Sequence, residues 1–214
     1  MKLNKNKTKL MLFNPTKRYD FVPKISVEKE ALDTVEELKL LGVVLRSDLK
    51  WSSNTESITT KGYKKLWLLK RLKSLGANVH DVLEVYTKIV RPTLEFAAPV
   101  WHAAITQAER DDIERVQKSM TKIVLQENYR GYKDALKALN LESLQQRRAK
   151  LCTNFALKTE KSSKFSAWFQ PNLKTSITRS KPNKYLPVVA RTAKMQTSSV
   201  SYLTNILNKH HQTK

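Results

Sequence analysis

Acid is scarce in this chain, and at its two ends it is missing altogether. Nineteen Asp and Glu stand against forty Lys and Arg, a formal net charge of +21 on 214 residues. Every acid lies between Asp20 and Glu160, so residues 1–18 and 161–214 carry cations only. A surplus of this size repels itself unless a polyanion neutralises it, which puts nucleic acid first among partners and an anionic membrane second. Cysteine is scarcer still. Cys152 stands alone, which excludes an intramolecular disulfide framework and a thiolate-cluster zinc site. That usage fits a reducing intracellular setting, nucleus or cytoplasm.

Glycine occurs only at 42, 62, 76 and 131, leaving no phosphate-cradling glycine loop and no strained serine turn for a nucleophile. No run of about 18 apolar residues would span a membrane. The start, MKLNKNKTKLMLF, has neither the continuous apolar core nor the small-residue cleavage site of a secretion signal. No basic helix also offers a wide exposed apolar face, so the reading is of no membrane partner.

What is present reads as β first and helix afterwards. KLMLF (9–13), residues 19–27 and ELKLLGVVL (37–45) are three strand candidates, with Gly42 suggesting a bulge inside the third or a backbone that something approaches closely. From Trp51 the spacing turns helical. Ser52 or Ser53 opens a helix that runs to about Leu75, where Gly76 stops it. Asn78 with Asp81 opens another, which Pro92 kinks or ends. TQAE (106–109) is a capping box ahead of Ile113, Val116, Met120 and Ile123. A short helix is expected over 132–139. Ser143 with Gln146 caps one that carries Leu144, Leu151, Cys152 and Phe155 inward. After Lys161 the pattern decays into Ser, Thr, Pro and Lys, with one further helix possible over 199–207. The expected fold is therefore mainly α: a small β remnant (1–50), a helical bundle (51–128), following helices (129–160) and a basic, weakly ordered tail (161–214).

Candidate chemistry is thin. His80 and His102 are isolated in helical segments, and His210–His211 sit in a polar end, so no metal site is assigned. Asp111–Asp112 lies early in a helix beside Arg110 and Arg115, where acids suit the helix dipole and pair with those arginines. Cys152 belongs to an apolar face and reads as core. The informative stretch is GYKKLWLLKRLKSL (62–75). Lys61, Lys64, Lys65 and Arg71 recur at helical spacing opposite Leu66, Leu69 and Leu72, which marks them as nucleic-acid-binding candidates. Tyr63 and Trp67 are placed to stack on bases or sugars, or to pack in the core.

Several segments together resemble a known family. LNKNKTKLMLF (3–13) resembles motif D of non-long-terminal-repeat retrotransposon reverse transcriptases, the LINE-like and jockey-like group. LKLLGVVLRSDLKW (38–51) resembles their primer grip and thumb entry. RPTLEFAAPVW (91–101), IERVQKSMTKIVL (113–125) and YKDALKALNLESLQQRRAKLC (132–152) resemble thumb and post-thumb segments, with KYLPVVARTAK (184–194) and SYLTNILN (201–208) at the end. The resemblance implies part of an RNA-directed DNA polymerase: a palm edge and primer-grip strands, a helical thumb and a basic tail. Its partners would be RNA and DNA as template–primer duplex or hybrid, together with the upstream palm and fingers of the same polyprotein. Mg2+ is implied for the full-length enzyme, held by palm aspartates upstream of motif D, and no cofactor is expected in this chain. By motif match Lys7 corresponds to the lysine that protonates departing pyrophosphate, and Leu41, Gly42 and Val43 fall on the primer grip. Lys5 stands where a proline is commoner, and Asn54 where a histidine is frequent. The expectation is a fragment inactive as a polymerase by itself. A standalone nucleic-acid-binding protein derived from the thumb, and a nonfunctional pseudogene product, are the alternatives.

Overall fold

The computed structural model describes residues 8–13, 23–27, 30–173 and 183–213. The chain divides into two units, Met1–Ser57 and Ile58–Lys214. The described residues are mainly helical, with two small antiparallel sheets.

In the first unit β1 (Ser26–Val27) pairs with β2 (Glu30–Ala31), Val27 opposite Glu30. The expected single strand over 37–45 is instead a hairpin of β3 (Glu37–Leu40) and β4 (Val43–Arg46), with Leu40 opposite Val43. Leu41 and Gly42 both take positive φ, 47° and 90°. That is what a two-residue type I′ turn demands, so Gly42 is a turn residue and not a bulge. KLMLF forms no strand; Leu10 makes one isolated bridge to Thr34. Polar side chains fix the hairpin. Arg46 donates to Asp48 at 3.0 Å and to Glu37 at 2.9 Å, and Ser53 Oγ donates to Glu37 at 2.5 Å. The Arg46 hydrogen bond holds the Asp48 carboxyl down at about 2 against the opposing effect of burial. Buried Asn54 accepts the Val44 N–H through Oδ1 at 3.2 Å.

Helix α1 (Ser52–Ser74) starts with Ser52 and Ser53 already inside it, where Ser53 Oγ bonds Glu37 and does not cap, while Gly76 at φ 83° stands beyond its end as expected. In the second unit the Asn78 side chain accepts the Asp81 N–H at 2.9 Å and opens α2 (Val79–Val85). Pro92 does not end this helix. The chain first widens into a π turn (Tyr86–Val90), in which the Arg91 N–H reaches the Tyr86 carbonyl, and Pro92 then falls in the first turn of α3 (Arg91–Glu95). A missing N–H is cheapest there. Ala97, left-handed at φ 52°, turns the chain into α4 (Ala98–Trp101). Both expected capping boxes form, Thr106–Glu109 on α5 (Gln107–Leu125) and Ser143–Gln146 on α7 (Leu144–Glu160), with α6 (Tyr132–Ala138) between them.

Leu69, Tyr86, Leu94, Trp101, Ile113, Met120 and Leu144 are fully buried in this unit. Gly62 lets α1 come close. A Cβ there would lie 2.8 Å from Leu94 Cδ2 and 3.1 Å from Val116 Cγ1. Arg148 is buried too, with its guanidinium 5.7 Å from the Trp101 ring and none of its three nitrogens bonded to a protein partner among the described residues. Burial pushes its pKa down to about 10.

Residues 163–173 and 183–213, expected to form a weakly ordered tail, carry elements of their own; residues 174–182 lie outside the described set. A 3-10 turn (Ser163–Trp168), α8 (Ala193–Gln196) and α9 (Ser199–Gln212) follow α7, and α9 packs on α7 and α4. Phe169, Tyr185, Leu203 and Leu207 bury with Cys152 and Ala156 of α7. Polar groups join the same packing. Asn208 bonds both the N–H and the carbonyl of Tyr185, at 2.9 and 3.0 Å. Glu160 gathers Lys184 at 2.8 Å, the Tyr185 hydroxyl at 2.6 Å and His211 at 2.7 Å. Burial alone would raise the Glu160 pKa, but the three hydrogen bonds overcome it and hold the carboxyl at about 2.

Two acid windows follow. Burial, then the positive Arg148 and Arg110 beside it, pushes His102 down to about 4. The unfolded chain therefore binds its proton first, and the free energy of unfolding falls as pH drops from about 6.5 to about 4, by at most about 1.4 kcal/mol per pH unit. Glu160 has the depressed carboxylate's sign: its stabilisation is complete above about 4.5 and disappears as pH falls toward about 2. Urea midpoints measured across this range should show both slopes. His102→Leu should remove the upper one and leave the lower.

Candidate nucleic-acid interface

The stripe Ile58, Gly62, Leu66 and Leu69 turns α1 into the core of its unit, with Leu66 4% exposed and Leu69 0%. The opposite side is basic. No acid occurs between Glu56 and Asp81, while Lys61, Lys64, Lys65, Lys70, Arg71 and Lys73 do. At 100° per residue Lys64 and Arg71 point within about 20° of each other, straight outward. Both are exposed. Lys61 and Lys65 lie on the flank beside the core and are half-buried.

Lys65 is held. Its ammonium donates to the Ile89 carbonyl at 3.0 Å and to Thr93 Oγ1 at 2.6 Å, joining α1 to the π turn and α3. The four cations expected on one outward face therefore divide into an outward pair, a flanking Lys61 and a structural Lys65. Spacing alone places Lys65 near the others; the carbonyl that claims it belongs to a helix 24 residues away.

Trp67 and Tyr63 are 68% and 45% exposed, so neither is core. With Leu66 and Lys70 they form one wall of a cleft of about 440 Å³ whose other wall is Ser119, Lys122 and Ile123 of α5. The α5 residues escape a sequence reading that stops at α1. Their one signal is Lys118 and Lys122 recurring four apart opposite the buried stripe Ile113, Val116 and Met120. Lys122 also sits 5.6 Å from the centre of the Tyr129 ring.

In the first unit Leu41 is the most exposed hydrophobic described there, at 88%, standing at the hairpin tip beside Gly42 and the half-exposed Leu40, while Val43 is 8% exposed. The primer-grip candidates thus share one turn, with only Leu41 projecting. Lys7 lies outside the described residues.

The paired aspartates of α5 are engaged locally. Asp111 accepts from Gln107 at 2.8 Å, and Asp112 is paired with Arg115. Among the described residues no group of three His, Cys, Asp or Glu converges. Burial raises the Cys152 thiol to about 12, which leaves it unreactive. Among the described residues no helix is long and apolar enough to cross a membrane. Compared with known protein families, curated proteins and solved structures, the chain matches none.

The two neighbouring lysines separate cleanly by experiment. Lys65→Met removes two hydrogen bonds and should lower unfolding free energy by about 1–3 kcal/mol. Lys64→Met, exposed and unbonded to the core, should stay within about 0.5 kcal/mol of the parent. Equal losses in chemical denaturation would contradict the assignment.

Proposed function

We propose that this chain is the C-terminal part of a non-long-terminal-repeat retrotransposon reverse transcriptase. In this reading it holds template–primer nucleic acid through α1 as a thumb does and does not polymerise by itself. The hairpin at Leu41–Val43 is its primer grip, the upstream palm and fingers of the same polyprotein complete the enzyme, and those upstream parts carry the Mg2+ ligands. It acts inside the cell, in nucleus or cytoplasm.

The observation that supports this most is the acid-free stretch of α1 from Ser57 to Ser74, with Lys64 and Arg71 exposed in line and Lys61 beside them. Phosphate neutralisation by such a row is insensitive to base sequence and falls steeply with salt. The described fold adds a compatible frame: a small β unit, then a helical bundle bearing the basic helix.

Two measurements test it. Purified chain with magnesium, primed RNA template and nucleotides should incorporate nothing above a boiled control; incorporation that survives repurification overturns the reading. Changing Lys61, Lys64 and Arg71 together to Gln keeps helix propensity while removing three charges. The variant should bind duplex and RNA–DNA hybrid more weakly, with a salt slope shallower by about two log units per log unit of salt. Lys133, Lys137 and Lys158, all exposed elsewhere, changed likewise to Gln serve as the control for net charge. An equal loss in both variants would show a diffuse field and no grip.

A further inference from the structure

We propose that the cleft between α1 and α5 is a seat for an unpaired nucleotide at the end of a duplex, with its base stacked on Trp67. This rests on the nucleic-acid reading above and deepens it, because the row at Lys64 and Arg71 needs only phosphates while the cleft asks for something planar and apolar as well.

The chemistry of the lining sets the ligand class. Tyr63 and Trp67 are exposed aromatic members of the lining, Leu66 and Ile123 supply aliphatic walls, and Lys70 and Lys122 stand as the charged members. No acidic side chain lines the cleft, and Ser119 is its one small hydroxyl. An anionic, planar, largely apolar ligand satisfies all of this at once, and a nucleotide has that composition. A positively charged peptide helix would meet Lys70 and Lys122 with like charge.

The geometry selects an unpaired base over a paired one. In a duplex both ring faces are covered by neighbouring pairs, so only a terminal or overhanging base can offer a face to Trp67. The stripes that build the cleft are i, i+3, i+4 and i+7 on α1 (Tyr63, Leu66, Trp67, Lys70) and i, i+3 and i+4 on α5 (Ser119, Lys122, Ile123). Two rigid helix faces thus hold the rings, which lowers the ordering cost of binding. Lys64 and Arg71 continue the cationic surface along α1 beyond Trp67, so a strand leaving the cleft meets further phosphate partners. That continuity favours a strand end over a free mononucleotide.

The test compares blunt duplex with the same duplex carrying an oligo-dT overhang, using the full chain and fluorescence anisotropy. Wild type should prefer the overhang. Trp67→Ala should weaken overhang binding roughly 5- to 150-fold, the effect of losing one base–aromatic stack, and leave blunt-duplex binding unchanged. Trp67→Phe, which keeps a ring, should retain most of the preference. No overhang preference in wild type, or an equal loss on both ligands in Trp67→Ala, overturns the inference while the duplex grip survives. Overhang binding that persists while blunt duplex is not bound at all removes the grip and leaves the nucleotide seat. Thymidine monophosphate that competes with the overhang at equal concentration would overturn the assignment to a strand end.

Discussion

The second unit is organised around one buried amide. Gln117, 0% exposed on α5, accepts the Tyr86 hydroxyl at 2.5 Å and donates to the Tyr132 hydroxyl at 3.0 Å and the Glu142 carbonyl at 2.9 Å. The Tyr132 hydroxyl in turn donates to Glu114, whose carboxylate also accepts the first N–H groups of α7, from Leu144 at 3.0 Å and Gln145 at 3.3 Å. Desolvation first, then the hydrogen bond to Glu114, keeps the Tyr132 phenol protonated far beyond the physiological range. Five elements, the π turn, α5, α6, the following loop and α7, are thereby fixed by side chains whose donors and acceptors meet. Networks satisfied in this way specify one arrangement, because any partial version strands a buried polar group. Val116, next to Gln117, is also what Gly62 packs against, so the placement of α1 inherits its precision from the same residue pair.

Charge is distributed by the same logic. The acids are mostly spent internally: Asp48 on Arg46, Glu95 on Arg147 through two bonds at 2.5 and 3.1 Å, Glu114 on α7, Glu142 on Lys150, Glu160 on three partners. Their negative charge is therefore neutralised or directed inward. Exposed cations remain on α1 at Lys64, Lys70 and Arg71, in a stretch with no acid between Glu56 and Asp81.

What the sequence made legible was local. The caps at Asn78, Thr106 and Ser143 depend on residues three apart, and each forms as read. The apolar stripe on α5 follows from spacing in the same way. What stayed hidden depends on distant partners. Leu-Gly is not among the usual type I′ dipeptides, so the hairpin looked like one strand with a fault. The docking of α9 relies on Asn208, Glu160 and His211, polar residues that composition counts toward disorder. At the candidate interface the basic helix was visible, but the capture of Lys65 by Ile89 and the approach of Lys122 to Trp67 were not, since both join segments far apart in the chain.

The Glu160 cluster also has a consequence in time. Its partners lie 24, 25 and 51 residues further along the chain. During synthesis the apolar side of α7, with Cys152, Phe155 and Ala156, emerges before anything exists to cover it. At about 5–20 residues per second, the roughly fifty residues separating Ala156 from Leu207 take about 3–10 s to be made. For that interval a nascent chain exposes a sticky helix, beside a carboxylate with none of its three partners. Those seconds, more than the finished fold, are when this protein is open to aggregation and to chaperones.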